Sequence, residues 1–322
     1  MSIGQWVTLR VSQRTFDRVL QHNSGNLMKK FLLTAFLATG INIVASLVSL
    51  AADAGVETAA ESGLASLDIL VIAPHPDDEV IGCGGVIIKA DEAGRRVGIV
   101  VVTSGDGYPN WTAKIFEKDR ENLKPADFKK VGTMRRQAAV DAATNLGVLK
   151  EDVMLLGYPD SKLAEVYQAA DAEPVRQPYT EQSETYGKVI PDYHSATHGT
   201  PAPYVKSSVI GDLAEIIKTR KPREIYVTNT ADTHKDHSTT GQFSMDAAKA
   251  ANYGGPIYTY IVHGEVEPNL PQHRVALSPK QVARKRAAII RYDSQLPNVT
   301  DHLDIYAARA TEEEVFWIVE SD

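Results

Sequence analysis

The sequence has almost no cysteine. Cys83 stands alone among 322 residues, so the chain can form neither an intrachain disulfide nor a thiolate zinc cage. A single cysteine beside glycines reads as a small buried filler. Excess positive charge is also missing. The 34 Lys+Arg are outnumbered by 41 Asp+Glu, for a formal net charge of -7. That balance excludes the basic surface that binds nucleic acid. There is no internal repeat and no low-complexity tract, which excludes a solenoid or propeller array. A dinucleotide fingerprint is absent too. Gly82-Cys83-Gly84-Gly85 lacks its spacing and falls inside a helical pattern, and the turn before it carries carboxylates that repel a pyrophosphate. Those glycines read instead as room for close helix–sheet packing.

Long apolar runs are scarce, with one exception near the start. Lys29 and Lys30 precede an uncharged stretch, Phe31 to Ala52, that ends in small residues. A positive segment, an apolar segment and a small-residue end describe a secretory signal. The stretch also has the length to span a bilayer. Arg10, Arg14, Arg18, Lys29 and Lys30 precede it, and Asp53 and Glu57 follow it. By the positive-inside rule, the body of the protein is expected outside the cytoplasm, either exported or anchored through residues 31–52. Met28 just before the lysines is a second candidate start. Residues 1–54 are therefore set apart as an extension plus signal or anchor. Residues 55–322 are expected to form one domain.

From Leu67 onward, strand and helix signals alternate. Leu67–Ala73, Val97–Thr103, Val153–Leu156, Arg223–Thr228 and Ile257–Val262 are short, apolar and rich in branched residues. The spacing predicts helices over Val80–Glu92, Thr133–Leu146, Ser207–Thr219, Ser238–Ala250 and Ser278–Ile290. Unbroken apolar strands alternating with helices imply an α/β, Rossmann-like fold: a largely parallel sheet with helices on both faces. Right-handed crossovers put the strand C-termini on one edge, where ligands bind. Glu165–Lys206 breaks the pattern. It is rich in proline and tyrosine and has little apolar periodicity, so it reads as an ordered insertion near the site. His194 and His198 lie within it at a spacing that lets two imidazoles share a metal on a helix, but Gly199 and two prolines argue against a helix there. Its tyrosines suit either a sugar-contacting wall or a plain folded lid.

The chemistry lies in two loops, each directly after a strand. Pro74-His75-Pro76-Asp77-Asp78-Glu79 follows the first. Asp232-Thr233-His234-Lys235-Asp236-His237 follows REIYVT. Each cluster alone could be a solvated turn. Brought together at one sheet edge, they supply the nitrogen and oxygen donors that zinc prefers. The same donors also suit Fe2+, Co2+ or Mn2+.

The stretches VIAPHPDDEVIGCGG, VVTSGDG, MRRQAAVDAATNLG, LGYPDSKL, HKDH and AAIIRYDSQ, in that order, resemble the PIG-L or LmbE-like family of zinc-dependent N-deacetylases. The resemblance implies that His75, Asp78 and His237 hold the metal, and that Asp77 is the general base. It also implies that His234 stabilises the oxyanion and that Asp236 orients His234. Arg135 and Asp106 fall where the family has substrate-side residues, although a surface arginine and a plain Asp-Gly turn are the bland alternatives. Ala138 stands where a glutamate is usual, and Tyr292 and Asp293 stand before the Ser294-Gln295 pair where a histidine is usual. Asp160 resembles a residue of the family's loop near the site. The implied activity is hydrolysis of the N-acetyl group of an N-acetylglucosamine-type sugar. The implied substrate is an acetylated glycan, glycolipid or exopolysaccharide. An amidase for another small amide, a non-catalytic sugar-binding relative and a metal phosphoesterase remain as alternatives. Nothing in the sequence fixes an oligomeric state.

Overall fold

The computed structural model describes residues 65–187, 189–264, 271–294 and 306–319. The Phe31–Ala52 stretch, the Met28 start and Gln295 lie outside them. Every described residue falls in one compact unit, Ser62–Asp322.

In chain order the elements are β1 (Ile69–Ala73), α1 (Asp78–Glu92), β2 (Val97–Thr103), α2 (Pro109–Phe116), α3 (Pro125–Asn145), β3 (Val153–Tyr158), α4 (Leu163–Gln168) and α5 (Tyr193–His198). They continue with α6 (Lys206–Arg220), β4 (Glu224–Thr228), α7 (Lys235–Ala250), β5 (Ile257–Tyr260), β6 (Gln272–Ala276), α8 (Pro279–Ser294) and β7 (Glu313–Val319). The sheet order is β3-β2-β1-β4-β5-β7-β6. The first five strands pair in parallel. β7 runs antiparallel to both β5 and β6.

Strand alternation explains the unbroken apolar runs. Ile69 and Val71 of β1, with Ile99 and Val101 of β2, enter one core layer under α1, α3 and α8. Leu70 and Ile72, with Val100 and Val102, enter the other layer, under α6 and α7. Successive side chains face opposite ways, so a strand covered on both faces has no polar position to spare. The α/β fold class matches the sequence expectation.

The order of the strands decides where chemistry sits. The chain builds outward from β1 through β2 to β3, then crosses back to place β4 on the other side of β1. β1 and β4 therefore flank the point where the strand order reverses, the usual ligand crevice of such sheets. Their registers run Ile69 to Glu224 through Ile72 to Val227, so the loops that follow leave the sheet at the same level.

Three local features depart from the expected elements. α3 begins at Pro125, eight residues before the Thr133 start read from the sequence. Proline opens its first turn, and the Lys124 N–H donates to Asp127 Oδ2 at 2.9 Å. β6 and β7 form an antiparallel edge; β6 (QHRVA) is largely exposed and polar, so it carries little strand signal. A helix does form within the insertion, at α5. The Asp192 side chain caps its start by accepting from Ser195 N–H, and Gly199 ends it at φ 79°. The prolines at 201 and 203 follow that left-handed stop, where the helix is already finished.

The insertion itself is ordered. Arg136 donates to Tyr186 O at 2.6 Å and to Ile190 O at 2.9 Å, and Glu184 bridges Pro203. Three of its tyrosines have partners on the body of the domain. Tyr204 is buried with its hydroxyl on Gly157 O, Tyr179 stacks on Phe128, and the Tyr186 hydroxyl donates to Asp106.

The Gly82-Cys83-Gly84-Gly85 run sits inside α1, where a Cβ on Gly82 falls 2.2 Å from the Tyr260 ring and one on Gly84 falls 2.9 Å from Lys285. These glycines let β5 and α8 side chains lie flat against α1. Cys83 between them is fully buried.

Candidate functional site

The loop after β1 turns sharply into α1. Asp77 is the residue before the helix and sits at φ 123°, a conformation strained for a residue with a side chain. The turn aims His75, Asp77 and Asp78 at the loop after β4. There His234 caps α7, and His237 follows one turn on.

Three donor atoms meet at the switch point. His75 Nδ1 lies 3.0 Å from Asp78 Oδ2, His237 Nε2 lies 3.2 Å from the same oxygen, and the two nitrogens are 3.2 Å apart. Zinc with ligands at about 2.0–2.1 Å in tetrahedral geometry requires donors about 3.3 Å apart. The triangle fits such an ion. A surface groove of about 740 Å3 along α6, by Ile210, Ala214 and Lys218, shares none of these residues. The donors, not groove size, locate the site.

Each ligating ring is held from behind. His75 Nε2 faces Asp236 Oδ2 at 3.2 Å and Asp160 Oδ1 at 3.3 Å. His237 Nδ1 faces Asp232 Oδ2 at 3.3 Å. Asp232 is itself fixed by the N–H groups of Val262, His263 and His234. A carboxylate behind the imidazole sets which nitrogen faces the metal and raises its basicity.

Asp236 therefore differs from the role that the resemblance implies. Its carboxylate is turned inward, accepting from Ser161 N–H at 2.6 Å and Leu163 N–H at 3.2 Å, and it reaches His75 rather than His234. What Asp236 gives His234 is its backbone N–H, which donates to Nδ1 at 3.3 Å. That contact leaves the proton of a neutral His234 ring on Nε2. His234 is exposed, and one of its ring nitrogens lies within 4.8 Å of the donor atoms of His75 and His237.

Arg135 and Asp106 are corrected as well. Arg135 is buried, at 6 % exposure, and its guanidinium is occupied by Gly105 O at 2.9 Å, Pro76 O at 2.8 Å and Asp77 Oδ2 at 3.1 Å. Its face lies over the Trp111 ring. It holds the base rather than the substrate. Asp106 is buried beneath Tyr186 and carries that hydroxyl, so it too lies away from a substrate surface.

The electrostatics follow from burial and crowding. Burial pushes Asp77 up to about 7, against the pull of the Arg135 cation. Glu79, with its carboxyl on the Tyr292 hydroxyl and the Asp77 N–H, rises by burial to about 8. Burial opposes charge on His237, but Asp78 and Asp232 outweigh it and raise the ring to about 9. Burial likewise opposes charge on His75, and Asp160, Asp236 and Asp78 hold it well above its usual value. His234 falls to about 4, first because the surrounding cluster keeps solvent from part of the ring and then through the charge on His75 and His237. Buried carboxylates packed around two imidazoles form a setting that a divalent cation neutralises.

Asp232, Glu79 and His263 were missing from the sequence reading of the site. His263 follows β5 and packs its ring 4.8 Å from His237. Asp232 stood inside the quoted loop, and two His within five residues of it were the available signal. Glu79 closes the other quoted loop as the last of its three carboxylates, and nothing local in the sequence marks His263.

The family model for PIG-L, GlcNAc-PI de-N-acetylase, matches residues 70–248, more than half of the chain. N,N'-diacetylchitobiose deacetylase from Pyrococcus horikoshii, complexed with its inhibitor, superposes with a TM-score of 0.51 at 21% identity, covering 78% of this chain and 83% of that one. Teicoplanin deacetylase Orf2, in a zinc-inhibited form, gives 0.50 at 19% identity, covering 79% and 98%. GalB, the 4-carboxy-2-hydroxymuconate hydratase of Pseudomonas putida, gives 0.50 at 18% identity, covering 80% and 99%. At these identities the solved structures establish the shared fold, which by itself does not choose among reactions. The family match, which spans both loops that carry the His/Asp cluster, places this chain in the PIG-L family.

Proposed function

We propose that the protein is a zinc-dependent N-deacetylase of an N-acetylglucosamine-type sugar. The observation that carries this reading is the triangle of His75 Nδ1, Asp78 Oδ2 and His237 Nε2 with Asp77 directly beside it. When bound there, zinc supplies Lewis-acid polarisation of an amide carbonyl and acidification of a water.

The chain's own residues supply the rest. Arg135 pins Asp77 Oδ2, which fixes the carboxylate as it takes the proton of the attacking water. The neutral His234 ring presents its Nε2–H to the developing oxyanion. The amide C–N bond then breaks, the proton held on Asp77 passes to the leaving nitrogen, and acetate and a free amine result. Asp160, Asp236 and Asp232 do no chemistry in this scheme; they hold His75 and His237 in register. Tyr108 is exposed in the loop after β2 and packs edge-on against Trp111. The Gly107 N–H beside it donates to Asp160.

The basic residues and the apolar stretch at 29–52 support export of the catalytic unit, with cleavage or anchoring in that segment. The activity is tested by acetate release from a panel of N-acetylglucosamine mono- and oligosaccharides, with metal-stripped protein and with zinc restored. Zinc-dependent acetate supports the reading. A protein that holds zinc and releases acetate from none of them refutes it.

A further inference from the structure

A second group of metal-type donors lies between the insertion and α6, sharing no residue with the site above. His194 and His198 stand one turn apart on α5, with ring centroids 4.5 Å apart. α6 faces them with Asp212 and, one turn on, Glu215. His194 Nδ1 is 2.7 Å from Asp212 Oδ1, and His198 Nε2 is 2.9 Å from Glu215 Oε2. One donor atom from each of His194, His198 and Asp212 lies within 4.8 Å of the others.

The geometry points to a second divalent-metal site, His194–His198–Asp212 with Glu215 at its rim, which clamps the insertion onto α6. Asp212 is the buried anchor, at 2 % exposure. The Tyr158 hydroxyl donates to its Oδ2 at 2.7 Å, which turns Oδ1 toward His194. An oriented carboxylate with a hydrogen bond on its far oxygen is the support that metal ligands generally have. His194, His198 and Glu215 are partly exposed, so an ion has a way in. The Tyr193 hydroxyl also reaches Glu215.

The donor set selects the ion. Two imidazoles with one or two carboxylates suit zinc, nickel, cobalt or copper, whereas magnesium and calcium take oxygen ligands. The helix that presents the histidines spans six residues, too short to persist alone in water. Asp192 and Gly199 fix its ends, and a metal shared with α6 fixes its face. The plain competing reading is two separate histidine–carboxylate ion pairs. Pairs of that kind do not require the two rings to sit together on one face against both carboxylates.

The test uses the full chain, stripped with chelator, reloaded with zinc or nickel and dialysed, with bound metal measured by mass spectrometry. The expected result is two equivalents of zinc in the unaltered protein, one in His198→Ala and one in His237→Ala. The remaining site in His237→Ala still raises Tm by several degrees on zinc addition, and adding His198→Ala or Glu215→Gln to it lowers or abolishes that shift. One equivalent in the unaltered protein and an unchanged count in His198→Ala overturn the proposal and leave two ion pairs. If His237→Ala does not fold, comparison of the unaltered protein with His198→Ala still decides, because His198 lies outside the catalytic cluster.

Discussion

Replacing Arg135 with methionine keeps the length and apolar stem of the side chain and removes its guanidinium. Pro76 O and Gly105 O then lose their donors inside buried loops. Each orphaned buried group costs about 1–3 kcal/mol, so the variant should be less stable by about 2–6 kcal/mol. For a unit of this size one kcal/mol moves Tm by about 2–4 °C, which gives a drop of roughly 4–24 °C. Asp77 also loses the contact that fixes its orientation. A displaced general base forfeits much of the roughly 10²–10⁴-fold it supplies, so kcat should fall about a hundredfold with KM little changed. Thermal denaturation and steady-state acetate release read both effects. A rise in KM with Tm and kcat unchanged would mean that Arg135 contacts substrate, and would refute the role assigned to it.

Three further outcomes follow from particular contacts. Asp106, pushed by burial from 3.8 to about 7, keeps its proton longer in the fold than in the unfolded chain. Its contribution is greatest below about pH 4 and falls by up to about 4 kcal/mol as pH rises to about 7. Asp106→Asn removes that slope, so the stability difference between the two proteins should vary with pH across this window in denaturant titrations; a constant difference contradicts it. Gly82→Ala places a Cβ 2.2 Å from the Tyr260 ring and should destabilise by about 1–3 kcal/mol despite alanine's better helix propensity, whereas a neutral or stabilising result in urea denaturation removes the close-packing explanation. Asp232→Ala leaves His237 Nδ1 without its carboxylate and should weaken zinc binding about 10–100-fold in a competition titration with a chelator; unchanged affinity refutes the supporting role.

The sequence reveals the sheet and both catalytic loops for a clear reason. β1, β2 and β4 are covered on both faces, so their residues are continuously apolar, and the polar clusters that follow stand out against them. The two short clusters marked where metal donors gather, and the family resemblance named His75, Asp78 and His237 among them. Partners joined across long stretches of chain were not marked in this way. Asp160 reaches His75 over 85 positions; the resemblance puts it in a loop near the site, but nothing in its Pro-Asp surroundings shows that it backs the His75 ring. Arg135 looked like a surface or substrate residue because helical spacing does not show that its tip lies under two loops. The resemblance pairs Asp236 with His234, and no sequence pattern shows that its carboxylate turns inward to Ser161, Leu163 and His75. The short helix bearing His194 and His198 was discounted because its prolines were weighed without asking on which side of Gly199 they fall. β6 escaped notice as an exposed, polar edge.

The division of labour at the switch point is tested most directly by measuring bound zinc and acetate release together in Asp77→Ala and His237→Ala. Asp77 stands beside the donor triangle and His237 is one of its corners. Asp77→Ala should retain the zinc of this site and lose activity, whereas His237→Ala should lose both. Equal metal loss in the two variants, or activity that survives in Asp77→Ala, contradicts the assignment of Asp77 as base and His237 as ligand.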